Sequence, residues 1–261
     1  MKTVRKALSL LDLFSESDPE FGLTALSQKA GLDKATTLRM LRAMQMHGLI
    51  EQDTKSRRYR LGASLLRLAR LREVTVPVIG ALQPILKQLA DKTGETAHAA
   101  ILAGETLTAV SVAHSSRSAR VSVDPGLRLP LHATASGIAL LAFAPPKLQS
   151  EALGRNLERF TDLTATDPDD VRKLAETAHR NGVAIVDRGF EPDVVDIAAP
   201  VFDGSGHAQG ALAVVTPISR MSLNVRHEHS TLLIQAAVEC ARLMGTSVPA
   251  HYVNLSSEDP A

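Results

Sequence analysis

The chain has 261 residues, 44% of them hydrophobic, a formal net charge of +1, one cysteine and no tryptophan. That length and composition suit two soluble domains with a real core. A lone Cys240 excludes an internal disulfide framework and a Cys-rich zinc site, and no apolar run approaches the roughly 18 residues needed to span a bilayer.

The charge is unevenly spread. Residues 1–62 hold 11 Lys/Arg against 7 Asp/Glu, and the remainder holds 18 against 21, which describes a basic head on a mildly acidic body. Within residues 2–16, Val4, Ala7, Leu8, Leu11 and Phe14 recur at helical spacing. "SDPEFG" breaks that pattern, and "TALSQKA" predicts a second short helix with Thr24 as N-cap and Gly31 just past its end. Only "GLD" separates it from a third helix that Asp33 caps, and two helices joined by so short a Gly-containing turn form a helix-turn-helix.

On a helical wheel Thr37, Met40, Leu41 and Met44 of the third helix form the packing face. Opposite lie Ala35, Leu38, Arg39, Arg42 and Met46. An exposed Leu38 between two arginines suits a helix entering a major groove, where an apolar side chain can meet a thymine methyl. Lys34, Thr36 and the Thr24 helix can reach phosphate or base edges. The plainer reading is a solvated basic face. Against it stands the next segment: strand-like Leu49–Glu51 and Tyr59–Leu61 flank a turn carrying Lys55, Arg57 and Arg58, a basic wing. The low aromatic fraction argues against a stacking platform for single strands.

"ASLLRLARLREV" predicts a linker helix whose Leu65, Leu68, Ala69 and Arg72 share a face suited to packing on another chain. From residue 78 follow a helix to Gly94 interrupted by Pro84, two strands around "AGE", an extended "ARVSVDPGLRLPLHAT", a short apolar helix "ASGIALLAFA", a punctuated helix "DPDDVRKLAETAHRNG", a strand-rich stretch with a hairpin at "DGSGHAQG", and a closing helix. The expected class is α+β: an antiparallel sheet with helices around it. The expected domains are 1–62 (head), 63–77 (linker helix) and 78–246 (body), with 247–261 fraying.

Three segments resemble the IclR family of bacterial transcriptional regulators: "LTALSQKAGLDKATTLRMLRAMQMHGLIEQD" in the head, and "LRLPLHATASGIALLA" and "GVAIVDRGFEPDVVDIAAPVFDGSGHAQGALAVVTP" in the body. The likeness runs in order through nearly all of residues 2–246. It implies a winged helix-turn-helix, a linker helix, a GAF-like effector-binding domain, and dimers that pair into tetramers. Lys34, Thr36, Arg39 and Leu41 match the family pattern, whereas Ala35 stands where the family often has Ser and Thr37 where it often has Val.

In the body, Thr134 is a good N-cap, and a helix beginning Ala135, Ser136, Gly137 is a ready anion site. The resemblance makes this segment, with His132, part of an effector pocket. It adds Asp187, Asp196, Ala213 and Val215; Asp196 stands where relatives often carry a small neutral residue. The pocket is expected to have an anion-friendly end at Thr134–Gly137 and an acceptor, Asp196, at the other, which suits an organic or aromatic acid or a close derivative with a donor; the alternative is that Asp196 caps local backbone amides and faces away from the cavity. His98 and His114 can line a cavity or be hydrogen-bonded structure. "TDPDDVRK" reads as a capped helix start rather than a carboxylate cluster. His227 and His229 do not share a helix face, Cys240 reads as a buried small hydrophobe, and no cofactor or metal is expected.

The expectation is a non-enzymatic, cytoplasmic regulator that binds double-stranded operator DNA as a homodimer or a dimer of dimers, controlled by a small-molecule effector and with no membrane partner. The rivals are an enzyme of small-molecule metabolism with a DNA-binding head, and an architectural DNA-binding protein without a ligand.

Overall fold

The structure, a computed structural model, describes residues 2–15, 18–75 and 78–257. The chain divides into two compact units, residues 1–77 and 78–261. In the first, α1 (Lys2–Ser9) is followed by a 3-10 turn (Leu11–Leu13), α2 (Leu23–Lys29), α3 (Lys34–Met46), the hairpin β1 (Ile50–Gln52) and β2 (Tyr59–Leu61), and α4 (Ser64–Thr75). The first helix is shorter than its periodicity suggested: Leu10 is fully buried and the chain tightens after it. Glu16, Val76 and Pro77 lie outside the described residues.

Leu10, Phe21, Leu26, Met40, Leu41, Met44, Ile50 and Tyr59 make the core of this unit. Phe21 pairs through its backbone with Tyr59, at 2.9 and 2.7 Å, which ties the entry to α2 onto the wing. That anchor moves the start of α2. Gly22 is its N-cap, and Thr24 lies inside the first turn, exposed, rather than capping it. Gly31 adopts φ +62° between α2 and α3, a left-handed conformation that costs glycine little. Asp33 then caps α3 as expected, accepting the Thr36 N–H at 2.8 Å.

The second unit contains α5 (Val78–Thr93), β3 (Thr96–Ala103), β4 (Thr106–Ala113), β5 (Arg128–Leu129), α6 (Ala135–Ala142), α7 (Pro146–Leu153), α8 (Pro168–Asn181), β6 (Ala184–Asp187), β7 (Val194–Phe202), β8 (Ala208–Pro217), α9 (Leu223–Met244) and α10 (Ala250–Ser257). The strands form one antiparallel sheet in the order β5-β4-β3-β8-β7-β6. Helices α5 and α9 pack on one face, and α6, backed by α8, on the other. Small residues at the sheet centre, among them Ala198, Ala211 and Ala213, let α6 come close. Pro200 is tolerated inside β7 because β6 pairs only as far as Ala198, leaving that edge unbonded.

The segment after Gly245 does not fray. It returns as α10, whose Tyr252 is fully buried against Phe143 and Phe202, with ring centroids 5.6 and 5.1 Å away. Burial of an aromatic ring outweighs the weak local signal of "PAHYVNLSS". Residues 258–261 lie outside the described residues.

Candidate DNA-binding face and effector pocket

In the head, the inward face of α3 is as the wheel placed it: Thr37, Met40, Leu41 and Met44 are buried. Lys34, Ala35, Arg39 and Arg42 are exposed and Thr36 is half-buried. Leu38 departs from expectation. It is half-buried and packs against the core of the head, because the apolar stripe is one residue wider than the packing face read from the wheel. The exposure that suggested a thymine contact is therefore mostly gone, and the polar face narrows to Lys34, Ala35, Thr36, Arg39 and Arg42.

The wing tip is held by one carboxylate. Asp53 accepts the N–H groups of Lys55 and Ser56 at 3.0 and 2.6 Å, and the Ser56 bond leads the causes that hold its pKa below the usual range. Gln52 Nε2 donates to the Arg57 carbonyl at 2.8 Å, and Arg57 sits at φ +59°. The loop thus presents Lys55, Arg57 and Arg58 outward on an ordered frame. Two other head cations are already engaged: Lys29 pairs with Asp18 at 2.9 Å, and Arg60 lies 3.4 Å from Glu51; Arg5 and Lys6 are exposed on α1. Among the described residues, Lys34, Arg39, Arg42, Lys55, Arg57 and Arg58 make no ion pair. Six unneutralised cations on one helix face and one hairpin tip are an electrostatic footprint for phosphate.

In the body, a narrow cavity with about 30 Å³ of open room lies between the sheet and the α6 N-terminus. Val121, Val123, Leu127, Leu129, Val186, Phe190, Val194 and Val215 give it apolar walls, and His98, Thr134, Glu191 and Asp196 supply polar groups. Register explains the convergence: Asp196 lies opposite Val215, which lies opposite Thr96, and His98 is two residues along β3 from Thr96. All four therefore share the face toward α6.

The helix N-terminus is not vacant. Asp196 Oδ2 accepts the Ala135 N–H at 2.9 Å, and Thr134 Oγ1 accepts the Gly137 N–H at 3.1 Å. The anion site and the acidic residue, expected as opposite ends of the pocket, are one feature: the carboxylate of Asp196 already serves α6 as its anion. Burial pushes Asp196 up to about 7, opposed by the amides of Ala135 and Ser136 and aided by the charge of Glu191. Although the residue as a whole is half-buried, its Oδ1 is buried with no partner. His98 is 1% exposed, and burial draws it down to about 4.

Other expected pocket residues lie elsewhere. His132 turns away, its Nε2 2.8 Å from the Glu158 carbonyl. Asp187 follows Val186 on β6, so it points to the other side of the strand, where Arg188 and Arg226 hold it at 2.8 and 3.1 Å. Ala213 is fully buried beside His98 but does not reach the cavity. Gly137 serves packing: a Cβ there would stand 2.4 Å from the Leu131 backbone. Ser136 is covered and meets His98 at 3.3 Å. His114 and His227 are exposed, and His229 is buried near Thr216. Asp167 caps α8 by accepting the Asp169 N–H. Burial raises the Cys240 thiol to about 11. The walls from Val121 to Leu129 had a signal in the sequence, since apolar residues alternate in "VSVDPGLRL". Phe190 and Glu191 had none.

Comparison with known proteins gives a consistent picture. Residues 3–54 match the model of the IclR helix-turn-helix domain, and residues 74–242 that of the bacterial transcriptional regulator IclR C-terminal domain. The HTH-type transcriptional regulator BhcR of Paracoccus denitrificans is 32% identical over 92% of this chain and 86% of its own. A crystal structure ascribed to an IclR transcriptional regulator of Silicibacter sp. TM1040 superposes with a TM-score of 0.85 at 37% identity, covering 95% and 98% of the two chains. An IclR homologue from Microbacterium hydrocarbonoxydans, complexed with 4-hydroxybenzoate, superposes at 0.78 with 24% identity over 94% and 100%.

Proposed function

Since the chain belongs to the IclR family of bacterial transcriptional regulators, we propose that it binds a specific double-stranded operator and that a small metabolite in the body cavity controls this binding. One observation carries the DNA half: six unpaired cations lie on the exposed face of α3 and at the wing tip, while Lys29 and Arg60 are neutralised. In this reading α3 enters the major groove, where Arg39 and Arg42 meet base edges or phosphates, and the wing follows the adjoining backbone. Lys34, Ala35, Thr36 and the exposed Thr24 line the approach.

Helix α4 supports a homodimer, or a dimer of dimers, as the working form, because Leu66, Leu68 and Leu71 are 76%, 43% and 53% exposed. Among the described residues no helix is long and apolar enough to cross a membrane, and a DNA-binding regulator suits the cytoplasm. Family members are transcriptional regulators, which favours regulation over turnover. The effector acts by preferring one arrangement of the dimer over another. A small organic acid or close derivative remains the starting ligand class, and the cavity lining favours the derivative.

The test is operator selection from a random DNA pool, followed by affinity measurement on the selected site. Arg39→Ala should weaken binding by about 1–3 kcal/mol, the worth of a good bidentate base contact. Unchanged affinity would sink the proposed docking of α3.

A further inference from the structure

The cavity presents two unsatisfied polar atoms and no cation, and their chemistry narrows what can fill it. His98 Nε2 lies 3.3 Å from the hydroxyl of Ser136, itself fully buried, while His98 Nδ1 is buried without a partner. One tautomer pairs the two side chains and leaves only the Nδ1–H unpartnered. The Ser136 hydroxyl donates to Nε2, and the ring proton sits on Nδ1. The other tautomer would leave the buried hydroxyl hydrogen without an acceptor, which is costly. Burial keeps the ring neutral, as its lowered pKa attests. His98 Nδ1–H is therefore an unpaired donor on a residue that lines the cavity.

Asp196 is its complement. Oδ2 is engaged by the Ala135 N–H, and Oδ1 is free to accept. The two groups stand on β3 and β7, with β8 between them, so their strands are roughly 10 Å apart. Val215 lies in the strand between, and the opposite wall is Val121, Val123 and Leu129. Among the described residues no Lys or Arg lines the cavity, and Glu191 adds a second carboxylate.

We propose that this pocket selects an uncharged small molecule with a carbonyl-type acceptor for His98 Nδ1, an O–H or N–H donor for Asp196 Oδ1 and an apolar frame between them, and that it rejects the corresponding carboxylate. The proposal rests on the reading of the cavity as the effector pocket. A carboxylate would enter without a countercharge, into a cavity already lined by the carboxylates of Asp196 and Glu191. An amide, lactam or hydroxylated carbonyl compound satisfies both orphaned atoms and adds no charge.

A matched pair of probes tests this: 4-hydroxybenzamide and 4-hydroxybenzoate, which share ring and hydroxyl. Each is titrated calorimetrically into the protein at pH 8, above the value of about 7 to which burial pushes Asp196, alone and bound to its selected operator. The amide should bind at least about tenfold more tightly than the acid. In Asp196→Asn that ratio should shrink to about threefold or less, mainly because the acid gains, and His98→Phe should weaken the amide about fivefold or more. Tighter binding of the acid to the wild type, no binding of either probe at millimolar concentration, or an unchanged ratio in Asp196→Asn would overturn the proposal. The wild-type ratio stands whether or not a variant folds. Amide binding that leaves operator affinity unchanged would refute effector control but support the ligand class, whereas acid-preferring binding that alters operator affinity would do the reverse.

Discussion

Asp196→Asn isolates what the buried carboxylate costs the fold. Its pKa is about 7 in the folded chain against an ordinary 3.8. A gap of about 3 units at roughly 1.4 kcal/mol each sets an upper bound of about 4 kcal/mol. Partial exposure of the residue reduces this to about 2–4 kcal/mol. The sign follows from proton linkage. Below the unfolded pKa both states are protonated and Asp196 contributes nothing. As pH rises from about 4 to about 7, the unfolded chain releases a proton that the native state retains, so stability falls; above about 7 the loss is complete.

Asparagine keeps an oxygen for the Ala135 N–H and carries no charge. The variant should therefore exceed the wild type in stability by about 2–4 kcal/mol at pH 8, and the advantage should vanish toward pH 4. The sequence has two tyrosines and no tryptophan, so a Tyr59→Phe background leaves Tyr252 as the fluorescent reporter of the body. Urea unfolding at several pH values, with unchanged m-values, gives the difference directly. A difference independent of pH, or one that shrinks as pH rises, would refute the assignment of Asp196 as a buried, destabilising acid.

The wing should act differently from α3. Arg57→Ala combined with Arg58→Ala should weaken selected and random DNA alike and flatten the salt dependence by about 0.9 in slope per lost phosphate contact; a wild-type slope would remove the wing from the interface. In α10, Tyr252→Ala should cost about 3–5 kcal/mol for the lost ring. Tyr252→Phe should be neutral or stabilising, because the buried hydroxyl has no partner. Equal losses from the two substitutions, read by calorimetry, would show that the hydroxyl contributes after all.

Much of the head was legible because its signals are local. Asp33 caps α3, Gly31 turns the chain, and a 3.6-residue period sorts Thr37, Met40, Leu41 and Met44 inward, all within a few residues of one another. Leu38 was misjudged because a wheel gives direction but not the width of the groove that receives it. Helix α7 was passed over, although Pro145–Pro146 is a start signal. Helix α10 was read as a loose tail because its eight residues have little amphipathic pattern, and only the pocket between Phe143 and Phe202 makes Tyr252 a core residue.

The candidate pocket divides along the same line. Local pattern is enough to show that residues 134–137 begin a helix and that Asp196 is the one charge in an apolar strand, and family likeness leads us to expect the two in one pocket. That they touch follows from packing alone. The bond between Asp196 and Ala135 closes a separation of 61 residues, and strand pairing brings His98 to the same face across β8. Likewise His132 and Asp187 were excluded by the side of the strand or loop on which they fall, since a one-residue step along a strand reverses a side chain's direction. Caps, periods and charge counts are properties of neighbours in the chain. Which acceptor reaches which amide, and at what cost in desolvation, depends on packing between segments far apart in sequence.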